Sequence, residues 1–266
     1  MFTVGGAVVT ANLTSPEHDT ARNGAEKLRV LVACEYSAIV RDAFCARGFD
    51  AWSCDLLPTE GDPRWHIQGD AIEVAYGQHW DLMVAHPPCQ FLSRAGARWW
   101  RCPQRQLKAN AAADFVFALR DAPILHIAIE NPRGQLNKRW RYPDQTIQPW
   151  EYGHPFSKAT CFWLKNLPPL MPTDIVADYE PFLPSNTGAG RKKGQRNSPG
   201  SAQSPHERSR TFAGVAQAMA DQWGDHIINS RASLPEPARG KEGASTPSEA
   251  LSTPVSNILS HEAQHV

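Results

Sequence analysis

Short, continuously apolar runs recur along this chain, and they constrain its fold more than any other feature. "LRVLVAC" (28–34), "DAWSCDL" (50–56), "WDLMVA" (80–85) and "PILHIAIENP" (123–132) read as strands, and "HIQGDAIEV" (66–74) holds a possible further one with Asp70 at its end. Strands that stay apolar, rather than alternating with polar residues, are buried on both faces, which is the habit of parallel sheets. Helical patterns separate them. "SAIVRDAFCARG" (37–48) is amphipathic and stops at Gly48. "CPQRQLKANAAADFVFALRDA" (102–122) reads as a long helix with Pro103 suited to its first turn. "QTIQPW" (145–150) and "KATCFWL" (158–164) look like a closing pair of strands, and "TFAGVAQAMADQWG" (211–224) like a helix stopped by its glycine. The fold class expected is α/β, a Rossmann-like, mostly parallel sheet with helices on both faces.

Residues 28–228 form the expected single domain. Residues 1–27 are polar and non-periodic, and 229–266 are rich in Ser, Pro, Ala, Gly and Glu. Both flanks are expected to be disordered, because they bury too little apolar surface to offset the entropy of ordering. No apolar run approaches the ~20 residues that span a bilayer, so no membrane association is expected. Six cysteines stand scattered without a Cys-x-x-Cys pair. That argues against a disulfide framework, implies no metal site, and suits a reducing cytoplasm. The 27 basic residues balance the 27 acidic ones, which excludes a uniformly basic coat but not a local basic patch.

In open α/β sheets, ligands bind beyond the carboxyl ends of the strands. The residues gathered there are Glu35, Asp55, Asp70, the segment 86–89 and Glu130. "HPPC" (86–89) follows the fourth strand directly, so Cys89 sits on a stiff turn after two residues that cannot donate a hydrogen bond. A lone cysteine can be a small buried hydrophobe or a nucleophile. Glu130 can be a cap or an acid, Asp55 a turn former or a ligand. Glu35 can be a ligand or a charge that the helix dipole favours.

These residues carry a resemblance. "PPC" after one strand and "IENP" (129–132) after the next resemble the Pro-Cys and Glu-Asn motifs of cytosine-C5 DNA methyltransferases. The wider pattern, through "VACEYSAIVRDAF", "SCDLLPTE", "HIQGD" and "QPWEYGHPFSKATCFWLKNLP", is similar to compact phage and prophage proteins of that kind over roughly residues 28–225. The resemblance implies a class I methyltransferase-like fold. It also implies a reaction in which the Cys89 thiolate attacks carbon six of cytosine while Glu130 holds the ring nitrogen N3 and the exocyclic amine. The cofactor implied is S-adenosyl-L-methionine. Glu35 and Ser37 lie in its first loop, Asp55 on its ribose, Asp70 near its adenine and Pro87 beside it. On the DNA side stand Asn131, with Lys158 in the electrostatic role of a missing Gln-x-Arg-x-Arg segment.

Two departures stand out. The first loop lacks the usual glycines, and only about forty residues between Leu164 and Arg208 are left for target recognition, so a partner protein could supply it. "RWWR" (98–101) could stack on bases through Arg98 and Arg101, or pack as a lid. The basic loop at 188–210, with Arg191, Lys192 and Lys193, suits phosphate contact. A zinc deaminase would need Pro-Cys-x-x-Cys, which is missing. An amino-methyltransferase on DNA bases would need a polar residue and an aromatic where His86 and Cys89 stand. A catalytically silent DNA-binding or decoy protein on the same fold is the non-enzyme alternative.

Overall fold

The computed structural model describes residues 27–180 and 209–233. Its elements run β1 (Arg29–Ala33), α1 (Ile39–Ala46), β2 (Asp50–Asp55), β3 (His66–Gln68), α2 (Ala71–Gly77) and β4 (Leu82–Ala85). There follow α3 (Pro103–Arg120), β5 (His126–Asn131), α4 (Leu136–Arg139), β6 (Gln145–Ile147) and β7 (Thr160–Lys165). The last described stretch is α5 (Ala213–Ala218), a π-helical turn (Met219–Trp223) and α6 (Gly224–Ala232).

The strands form one seven-stranded sheet in the order β3-β2-β1-β4-β5-β7-β6. β1 to β5 pair in parallel, and β7 runs antiparallel between β5 and β6. This is the expected α/β architecture, and the closing pair is β6 with β7. The apolar runs are explained by cover on both faces. Val30, Val32, Leu82 and Val84 point to one side, where they pack with Phe44 of α1 and with Val215, Trp223 and Ile227. Leu31, Ala33, Met83 and Ala85 point to the other side, with Ala75 of α2 and Val116 and Leu119 of α3. Alternate residues therefore serve two cores, and a fully buried Leu or Val on either side is worth about 1.5–3 kcal/mol relative to exposure. Among the described residues no helix is long and apolar enough to cross a membrane.

Two element boundaries differ from expectation. "HIQGDAIEV" is only half strand: β3 ends at Gln68, and Asp70 instead caps α2 by accepting a hydrogen bond from Ile72 N–H at 2.7 Å. A carboxylate directly before the first helical residue satisfies an otherwise orphaned helix donor, and that outweighs the strand signal. Gly224 does not end its helix, which continues to Ala232, so residues 229–232 belong to the fold rather than to a tail. A Cβ at Gly224 would lie 2.9 Å from the Phe49 ring, so this glycine serves close packing. The proposed flanks 1–26 and 234–266, and the basic loop up to residue 208 with Arg191, Lys192 and Lys193, lie outside the described residues.

The chain leaves β1 in one direction and β4 in the other, so the strand order reverses between these neighbours, and a ligand crevice opens at such a switch point. The turn from β1 into α1 lies beside it and has two non-glycine residues in the left-handed region, Cys34 at φ 59° and Ala38 at φ 64°. That conformation costs an L-residue roughly 1–2 kcal/mol. The glycine-poor first loop is therefore held under strain by its surroundings. Ala38→Gly should relieve part of it, after glycine's larger unfolding entropy is deducted. We expect a gain of about 0.5–1 kcal/mol, and a melting temperature higher by roughly 1–4 °C, in thermal unfolding followed by circular dichroism.

Candidate active site

β4 ends where its ladder must end. His86 N–H still reaches Ala33 O at 2.9 Å, and then Pro87 and Pro88 offer no donor. Cys89 O accepts hydrogen bonds from Leu92 N–H (3.0 Å) and Ser93 N–H (2.8 Å), closing a tight turn. The loop is tied sideways to the one after β5. Asn131 Nδ2–H donates to Pro87 O at 2.9 Å in buried surroundings, Gln135 N–H to Leu92 O at 2.7 Å, and Arg94 N–H to Arg133 O at 2.9 Å.

Cys89 is exposed, and desolvation raises its thiol above the usual range. The Glu130 carboxylate raises it further, while the Lys158 ammonium lowers it. Glu130, partly buried near the end of β5, sits with its Oε2 3.7 Å from His86 Nδ1. A cleft of about 360 Å³, counting solvent at its mouth, opens beside them and is lined by His86, Glu130, Lys158, Thr160, Thr211 and Phe212, among others. Lys158 Nζ lies 5.8 Å from the centre of the Phe212 ring. Cys89 does not line this cleft, but its thiol feels two residues that do. The structure thus brings Cys89, Glu130 and Lys158 together, three residues drawn from segments far apart in sequence.

Other nominated residues take different places. Asn131 is fully buried. Its amide positions the Pro87 carbonyl, and Pro87 itself is buried. Glu35 is buried and accepts hydrogen bonds from Ser37 Oγ–H (3.1 Å), Val40 N–H (2.8 Å) and Arg41 N–H (3.2 Å). It closes the amino end of α1, where the helix dipole favours a negative charge, and the Ser37 hydroxyl is turned onto it. Burial raises the Glu35 carboxyl, and the His86 imidazole and these donors pull it back. Asp55 accepts from Leu57 N–H at 2.9 Å in a turn. Asp55 and Asp70 nonetheless share one place. Gly69 N–H donates to Asp55 O at 3.0 Å, β2 lies beside β1, and burial, then Asp55, Cys54 and Asp70, hold the Cys34 thiol well above its ordinary value. Arg98 and Arg101 are exposed, just beyond the Cys89 loop.

His86, gathered at the strand ends with the segment 86–89 but given no role, lines the cleft. Its signal was its position, first after β4 at the switch point. Thr160 and Thr211 of the cleft carried no signal in the sequence. Among the described residues no group of three or more His, Cys, Asp or Glu side chains could hold a metal ion. No protein-family model matches the chain, and no curated protein matches it significantly. Fold alone does not assign a reaction, so the chemistry rests on the site itself.

The charges around Cys89 make a measurable statement. Glu130→Gln removes the carboxylate that keeps the thiol protonated, so its pKa falls and the thiolate fraction at pH 8 rises. Lys158→Ala does the reverse. Iodoacetamide labelling of Cys89, followed by peptide mass spectrometry, should quicken in the first variant and slow in the second, each by roughly 3- to 10-fold.

Proposed function

We propose that this chain is an S-adenosyl-L-methionine-dependent DNA cytosine-C5 methyltransferase on a class I methyltransferase-like fold. One observation carries the reading. A thiol on a proline-stiffened turn follows β4, a carboxyl stands on the neighbouring strand beside a cleft that Lys158 also lines, and both charges act on the thiol. Carbon five of cytosine is a poor nucleophile, and attack of the Cys89 sulfur on carbon six gives it enamine character. Glu130 hydrogen-bonds N3 and the exocyclic amine, and holds a proton there as charge develops. Lys158 favours the thiolate. A base then removes the carbon-five proton, and elimination returns the Cys89 thiolate.

The end of β1 suits the cofactor in part. Asp55 and Asp70, both acting on the Cys34 thiol at the end of β1, would accept hydrogen bonds from a ribose and an adenine amine. Glu35 fills the amino end of α1, the place where a dinucleotide would set its pyrophosphate, and this favours a cofactor without phosphate. S-adenosyl-L-methionine bound there supplies the electrophilic methyl group that the activated carbon takes up.

Incubation of the full chain with cofactor labelled in its methyl group and several DNAs, followed by base analysis, tests the proposal. C5-methylcytosine should form with the wild-type chain and fall to background in Cys89→Ser. DNA containing 5-fluorocytosine should trap an adduct on Cys89. An adduct that persists in Cys89→Ala, or label appearing on an exocyclic amine, would overturn it. DNA binding without any transfer would leave the silent DNA-binding reading in its place.

A further inference from the structure

The chain is neutral overall, but its charge is not spread evenly. Residues 82–113 contain five basic residues and no Asp or Glu, and residues 131–143 contain four and again none. The first segment leads from β4 through the Cys89 loop into α3, and the second from the end of β5 through α4. Seventeen residues separate them in sequence, and they are fastened together in space. The backbone bonds from Arg94 to Arg133 and from Gln135 to Leu92 join them at one end. Arg139 Nη1 donates to Asn110 Oδ1 of α3 at 2.5 Å, and Lys138 Nζ sits 5.9 Å from the Trp100 ring centre. The seam reaches the thiol. Arg105 donates to Gln90 O at 3.0 Å, and both Arg105 and Lys108 stand over the Phe91 ring, two residues from Cys89. Arg94, Arg98, Arg101, Lys108 and Lys138 are all exposed on these segments.

Aromatic rings are interleaved with these cations. Trp99 is 53% exposed, with the Arg98 guanidinium 5.1 Å from its centre, and Tyr142 is 78% exposed. A soluble domain normally turns such rings inward, and the neighbouring Trp100, Trp140 and Trp163 are indeed partly or fully buried. Exposed rings among cations suit a chain of phosphates whose bases are free to stack. Duplex DNA presents phosphates to such a surface but keeps its bases stacked on one another.

We infer that the fastened segments 89–108 and 133–142 form a docking surface for single-stranded DNA that leads a strand to Cys89. This rests on the proposed reading of DNA as the substrate. A strand already unpaired delivers its cytosine without base flipping. It also makes a separate recognition domain unnecessary for binding, because stacking and phosphate contact are tolerant of sequence.

Fluorescence anisotropy with the full chain tests it, using a labelled single-stranded oligonucleotide, the same sequence as duplex, and its RNA counterpart. The single-stranded DNA should bind at least tenfold more tightly than the duplex. Trp99→Ala and Tyr142→Ala should each weaken it roughly 5- to 100-fold, with little change for duplex. Arg98→Ala/Arg101→Ala and Lys108→Ala/Lys138→Ala should each flatten the plot of log affinity against log salt by about 0.7 per cation removed. Circular dichroism checks that these surface variants keep the fold. Equal affinity for duplex, preference for RNA, or equal competition by heparin in wild type and Trp99→Ala would overturn the inference. So would binding abolished by Arg191→Ala/Lys192→Ala/Lys193→Ala and untouched by the variants above. Methyl transfer is measured separately on both DNAs. Transfer to duplex with no single-strand binding refutes the surface alone, whereas single-strand binding without transfer refutes the methyltransferase reading alone.

Discussion

The hydrogen bond from the Asn131 amide to the Pro87 carbonyl sets what the carboxyl end of this sheet can become. Two consecutive prolines remove two backbone donors directly after β4, so no ladder can hold the segment that bears Cys89. The Pro87 carbonyl is the backbone group left to grip, and Asn131 reaches it in buried surroundings at 2.9 Å. Leaving such a buried group unmatched would cost about 1–3 kcal/mol. Once Pro87 is fixed, the rest of the loop falls into register with the segment after β5. The two backbones then approach so closely that a Cβ on Gly134 would lie 1.8 Å from Leu92 O. Only glycine permits that contact. The distance between a thiol on one strand's exit and a carboxyl on the next is thereby set by backbone rather than by side-chain rotamers.

The opposite side of the switch point solves a different problem. A helix that begins at the end of β1 presents orphaned N–H groups, and doubly wound folds commonly offer them to phosphate. Here the protein's own Glu35 accepts two of them, and this internal anion holds Ala38 in a left-handed conformation that glycine would adopt more readily. Gly61 makes room for the strained turn, because a Cβ there would come within 2.6 Å of both Ala38 Cβ and an Arg41 nitrogen. Strain of this kind persists only where the surroundings over-determine it. The absence of glycine in the first loop is thus compensated by a glycine more than twenty residues away.

Much of this was legible in the residues. Unbroken apolar runs announced strands covered on both faces, and Pro-Pro after β4 located the stiff turn. Other features were not, for physical reasons. Asp70 and Glu35 each carry a carboxylate that serves a ligand or a helix terminus equally well, and only the position of the amides decides. Asn131 read as a substrate contact, because a sequence does not show that its amide is buried against a carbonyl 44 residues earlier. Gly224 read as a stop because its sequence context does not reveal the ring of Phe49 packed against it. Only part of the basic face was legible, as Arg98 and Arg101 beside their tryptophans, because its halves are separated by most of α3 and all of β5, and their charges add only once the loops are joined.

The electrostatics around Cys89 link that face to the chemistry proposed above. A reactive thiol left permanently ionised would be open to oxidation and stray alkylation. In this site desolvation and the Glu130 carboxylate favour the protonated sulfur, and Lys158 opposes them. A cytosine that engages Glu130 shares a proton with that carboxylate and spreads its charge onto the ring. The field that held the thiol protonated then weakens, and the field from Lys158 remains. Under the proposed reading, ionisation of the nucleophile is coupled to occupancy of the base site, and a base unable to share a proton with Glu130 would meet a sulfur that keeps its proton.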